Sequence, residues 1–91
     1  MPYIHFSKRL EFDQEIDSLA AKIKDKNNDD LAGTLNYIVS RLTWKLCTDN
    51  HLRYARMNTI IGALECVKTE FYRRIAAPYE NKKIDSEGDI I

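Results

Sequence analysis

Apolar residues recur along this chain in three stripes with helical spacing. The first is Ile16, Leu19, Ala20 and Ile23, at i, i+3, i+4 and i+7, as expected for a helix with one inward face. Asp13 precedes it with the side-chain chemistry of an N-cap, and Glu15 and Asp17 fall in the first turn, where the helix dipole favours acids. These positions predict helix A over about 13–26. The second stripe, Leu35, Ile38, Val39, Leu42 and Leu46, predicts helix B over about 34–47, with Gly33 and Thr34 marking its start. The third, Met57, Ile60, Ile61, Leu64, Val67, Phe71 and Ile75, predicts the longest helix, C, over about 53–77.

Polar breaks separate the stripes. Asn27-Asn28-Asp29-Asp30 and Thr48-Asp49-Asn50 have turn chemistry. Pro78 is expected to stop helix C, because proline lacks the N–H and clashes with the preceding turn. Residues 1–12 then read as an arm and turn, with Tyr3, Ile4 and Phe6 seeking cover and Ser7 capping a short turn to Phe12. Residues 78–91 read as an extended tail. The expected fold is all-α: one domain over 1–91, three helices, an apolar N-terminal arm and an extended C-terminal tail.

Helix lengths raise a packing problem. At 1.5 Å per residue, helix B spans roughly 21 Å and helix C roughly 37 Å. In a B–C hairpin the far end of C, with Phe71, Tyr72 and Ile75, would overhang. A second protomer is the favoured cover; the 27–33 loop and the tail are the alternatives. Gly62, in mid-helix, fits either a close helix crossing or a surface position.

Composition narrows the function classes. A chain of 91 residues with 44% hydrophobic and 31% charged residues is globular in character. Its 14 basic and 14 acidic residues cancel, so no global field draws it to nucleic acid or anionic membrane. The charge is unevenly spread, however. Arg53, Arg56, Lys68, Arg73 and Arg74 outweigh Glu65 and Glu70 over 51–79, while 80–91 is net acidic. No apolar run is long enough to span a bilayer, and the Met1–Phe6 stretch lacks the basic region of a secretory leader. Cys47 and Cys66 form no C-x-x-C pair, so a cytoplasmic protein with reduced thiols is expected.

Catalytic and metal chemistry find little to work with. His5 and His51 are isolated from each other and from the cysteines, and no spacing matches a zinc or calcium pattern. The glycines form no phosphate cradle. Cys66, among apolar neighbours, is expected to be buried and inert. Glu70 is placed to pair with Arg73 or Arg74. Glu65, between Leu64 and Val67, reads as a partly buried group that pairs with Arg41 or hydrogen-bonds Tyr37 or Asn36, or as a site residue. No cofactor or metal is expected.

The remaining signal is aromatic and basic. Arg53, Tyr54 and Arg56 open helix C, and Phe71, Tyr72, Arg73 and Arg74 close it. Such a set suits a protein interface or an anionic ligand, and equally a core aromatic beside solvated arginines. Tyr37 and Trp44 flank the helix B stripe as further interface candidates.

Taken together, these motifs resemble a family of small uncharacterised helical proteins of tailed bacteriophages and bacteria. The resemblance rests on Met1-Pro2-Tyr3-Ile4, Leu35-Asn36-Tyr37-Ile38, the run from Gly62 to Lys68, Glu70 to Arg74, and Ala77-Pro78-Tyr79-Glu80 through Ile84. The family has no assigned activity, so the resemblance transfers no catalytic residue. It implies that Asn36, Tyr37, Glu65 and Glu70 to Arg74 are the positions of any shared site, and that the setting is phage accessory or counter-defence work in the host cytoplasm. The expected function is a non-enzymatic interaction module that forms a homo-oligomer, with Tyr37, Trp44, Tyr72 and Ile75 as anchors and a host or phage protein as a further partner. The alternatives are an oligomer that sequesters an anionic small molecule such as a signalling nucleotide, held by Arg53, Tyr54, Arg73 and Arg74, and a small metal-dependent nucleotide hydrolase.

Overall fold

The computed structural model describes residues 3–25, 28–48 and 53–91. Among them every regular element is helical. The chain forms two structural units, 1–53 and 54–91. Expectations that fall on Met1, Pro2, Lys26, Asn27, Asp49, Asn50, His51 and Leu52 lie outside the described residues.

The first unit contains α1 (Phe6–Lys24), a 3-10 turn (Asn28–Asp30) and α2 (Leu31–Leu46). Helix α1 begins well before the expected start at 13. The stretch from Phe6 to Lys24 contains neither glycine nor proline, so nothing forces a break at Asp13. Ser7 and Asp13 are accommodated inside the helix at small propensity cost. The cap is His5 rather than Ser7. Its Nδ1 accepts the Ser7 backbone N–H at 3.2 Å, and its carbonyl accepts the Lys8 N–H at 2.9 Å. Just before the cap, Ile4 is tied to the helix, because Arg9 Nε donates to its carbonyl at 3.1 Å. The expected arm is therefore short. With α1 it encloses an open cleft of about 490 Å³ lined by Tyr3, Ile4, Arg9, Phe12, Asp13 and Ile16.

Helix α2 starts at Leu31 rather than Thr34, since the 3-10 turn leads directly into it. It closes on a tightened turn, with the Cys47 N–H on the Trp44 carbonyl at 3.0 Å.

The second unit is a single helical path from Tyr54 to Glu87, about 51 Å at the α-helical rise. It comprises α3 (Tyr54–Phe71), a π-helical segment (Tyr72–Ala76) and α4 (Ala77–Glu87). Helix C therefore does not stop at Pro78, and the expected extended tail is helix as far as Glu87. The π segment is what lets the helix pass the proline. Ala77 N–H donates to the Tyr72 carbonyl, five residues back. Residue 78 has no N–H to give Arg74, and a wider turn relieves the pressure of its ring on that carbonyl. Pro78 then sits in the first turn of α4, where its fixed φ suits a helix start. Glu80 in that turn and a Lys83–Glu87 pair at 3.6 Å reinforce it. Gly88 ends it at φ 98° and ψ 152°, a region open to glycine alone. The tail thus extends the long helix and does not fold back over the Phe71 end.

Among the described residues no side chain is buried. The three apolar stripes exist, but as exposed or half-exposed faces. Ile23, Ile38, Val39 and Ile60 are half-buried, while Leu35, Leu42, Val67 and Phe71 are exposed. Burial requires a second layer against the apolar stripe of a helix. Within the second unit there is one helical path and hence no second layer.

Candidate interaction surface

The site candidates divide between the two units. In the first, Asn36 and Tyr37 lie one after the other on α2. The Asn36 Oδ1 accepts the Ser40 hydroxyl at 3.0 Å. Tyr37 and Trp44 are exposed, Trp44 to 74%. Arg53 ends this unit, exposed and outside any helix.

In the second unit Tyr54 begins α3 and is 77% exposed. Glu65 pairs with Lys68 at 3.1 Å, both side chains largely in solvent. The expected half-burial of Glu65 is corrected, because within its unit no second element packs against the helix that carries it. Cys66 is exposed for the same reason, and the expectation that it is buried fails with it; Cys47 is half-buried. Gly62 is a surface glycine within its unit, since a Cβ there would meet nothing within 4 Å.

The Glu70–Arg74 cluster is the most structured part. Arg73 reaches both Glu70 oxygens, with Nη2 3.1 Å from Oε1 and 3.2 Å from Oε2 and with Nε 3.2 Å from Oε1. Glu70 is half-buried, so this charge-assisted contact is shielded on one side. The Tyr72 hydroxyl donates to Glu80 Oε1 at 2.5 Å. In an uninterrupted α-helix, residues eight apart lie about 80° apart around the axis. A π turn, closing i to i+5, absorbs one residue, so the pair behaves like positions seven apart and shares a face. Glu80 raises the Tyr72 pKa above its ordinary value near 10, first through this hydrogen bond and then through its negative charge. Glu80 falls in the expected extended tail, where no contact with Tyr72 is foreseen. The available signal is Pro78, once it is read as a helix-internal proline. Arg74 and Ile75 are exposed on the π segment.

A family model described as a domain of unknown function, DUF6899, matches residues 1–90. The chain belongs to the DUF6899 family. No curated protein and no solved structure matches it. Among the described residues of this DUF6899 chain, no three His, Cys, Asp or Glu side chains are grouped to hold a metal ion. No described helix is long and apolar enough to cross a membrane. What the described DUF6899 chain offers instead is apolar surface on helices, edged by arginine, lysine and glutamate.

Proposed function

We propose that this chain is a non-enzymatic interaction module that works by self-association. The observation that carries the reading is the exposure of the helical apolar faces, from Tyr37 and Trp44 on α2 to Phe71, Tyr72 and Ile75 at the end of the long helix. In each unit taken by itself, amphipathic α-helices of this kind bury their apolar stripes against another helix. Zero net charge removes the repulsion that would oppose association of like copies. The resemblance to small phage proteins supports an accessory or counter-defence role in the host cytoplasm, through a protein partner engaged by the assembled form.

Sedimentation across a dilution series tests the reading. Self-association predicts an apparent mass that is a multiple of the chain mass and falls on dilution. A single-chain mass at every concentration would contradict it. A Tyr72→Ala/Ile75→Ala double variant should elute later than the wild type if these residues are anchors. An unchanged elution volume, with helicity retained by circular dichroism, would remove them from that role.

A further inference from the structure

Helix α3 carries more than an apolar stripe. Met57, Ile60, Leu64, Val67 and Phe71 follow a strict 3-4-3-4 spacing, the a and d positions of a coiled-coil seam. All lie on the α-helical part of the second unit, ahead of the π segment. Phe71 and Val67 are about two-thirds exposed, Leu64 is 40% and Met57 37% exposed, and Ile60 is half-buried. The residues beside the seam are then Tyr54, Ile61 and Lys68 along one edge, and Arg56, Ala63 and Glu70 along the other.

The edge residues discriminate between ways of covering this seam. In a parallel pair of α3 helices, each edge residue faces one of the opposite edge five positions on. That would set Arg56 against Ile61, Ala63 against Lys68, and Glu70 against Ile75, with no charge set against an opposite one. In an antiparallel pair each edge faces itself. With Ile60 opposite Leu64 and Met57 opposite Val67, Arg56 of one copy meets Glu70 of the other, twice by symmetry. Lys68 meets the ring of Tyr54, also twice, in a cation–π arrangement. Ile61 and Ala63 each meet their own counterpart at the two-fold axis. Slipping the pair by one heptad sets Glu70 against Ala63 and Lys68 against Ile61. Slipping it once more sets Glu70 against Glu70.

We infer that α3 docks antiparallel on α3 of a second copy of this chain, with Arg56–Glu70 pairs bracketing the seam at both ends. The inference rests on the self-association reading above and names its surface and symmetry. A two-fold pair is self-complementary, so one patch supplies both sides. The Arg73 guanidinium already holds the Glu70 carboxylate from within its own helix. Arg56 of the other copy then shares this carboxylate with Arg73 or displaces it, since Arg73 makes three hydrogen bonds to its two oxygens.

Charge reversal and mixing test this in the full chain. Arg56→Glu places two carboxylates together at each end, and Glu70→Arg places two guanidinium groups together. Each single variant should lose self-association by at least tenfold in dissociation constant while keeping its helicity by circular dichroism. Mixing the two variants restores both pairs. The carboxylate introduced at position 56 of one then faces the guanidinium introduced at position 70 of the other, and the native pair forms at the opposite end. The assembly should return in the equimolar mixture alone. If the wild type associates but the single variants do so equally, or their mixture does not, the α3 seam is overturned and association uses another face. If the wild type is a single chain at all concentrations, with the seam covered by the rest of its own chain, the self-association reading falls and this inference with it.

Discussion

At the scale of single residues, the structure turns several ambiguous positions into definite expectations. A Cβ at Gly62 would meet nothing within 4 Å, so Gly62→Ala should stabilise α3 by about 0.5–1 kcal/mol through reduced backbone entropy. The check is a rise in the thermal midpoint, and a fall would show that a neighbour approaches that face. Gly88 is the opposite case. Its backbone conformation excludes a Cβ, so Gly88→Ala should cost roughly 1–3 kcal/mol locally and fray the last turn of α4. Faster amide exchange confined to the residues just before Gly88 would report it. Tyr72 supplies the pH dependence. Its pKa is raised in the fold, so the neutral, hydrogen-bonded hydroxyl stabilises up to the unfolded value near 10. That contribution is lost as pH rises above 10 through the raised value. In an ultraviolet titration Tyr72 should titrate above its ordinary range, and Glu80→Ala should lower it. An unaltered titration in Glu80→Ala would break the assignment.

At the scale of elements, the three helical stripes are readable in the sequence because a 3.6-residue period survives without knowledge of the partner surface. Their ends are not, and each miss has a physical cause. Asp13 and Ser7 have cap chemistry, but a cap residue only favours a helix start and cannot force one. His5, a less usual cap, takes that place through its imidazole nitrogen. Pro78 reads as a stop because a proline in an α-helix removes one hydrogen bond and crowds a carbonyl. A π turn absorbs both defects locally, and sequence periodicity does not reveal it. The candidate site is legible to the same degree. The Glu70–Arg73 pair follows from spacing, whereas for Tyr72 spacing leaves a core place and an exposed one equally open. The Tyr72–Glu80 contact depends on the π segment and does not. Pro78→Ala tests that dependence. It restores an N–H, allows the i to i+4 ladder to close, and should raise the thermal midpoint. Without the extra residue Tyr72 and Glu80 move about 80° apart. The Tyr72 titration should therefore fall towards its ordinary range even though Glu80 is still present. A Tyr72 titration that stays high in this variant would show that the π segment does not set the contact.

At the scale of the whole molecule, the described residues contain helices with apolar faces but no buried side chain. Small helical domains commonly complete their cores by association, because folding one short chain leaves much of its surface in water. In the proposed self-association, the charge pattern along α3 sets the direction. Arginine at one end and glutamate at the other suit two copies running opposite ways. Charge pairs of this kind tune partner choice and weaken in salt, whereas the apolar seam supplies most of the affinity. Self-association should therefore persist at high salt with reduced strength, and a complete loss of assembly in salt would transfer the main role from the seam to the charges. The most direct test is the mass of the wild-type chain by light scattering at micromolar concentration. Association predicts a value at least roughly twice the 10.6 kDa of one chain. A value equal to one chain, in a folded sample, would contradict the account.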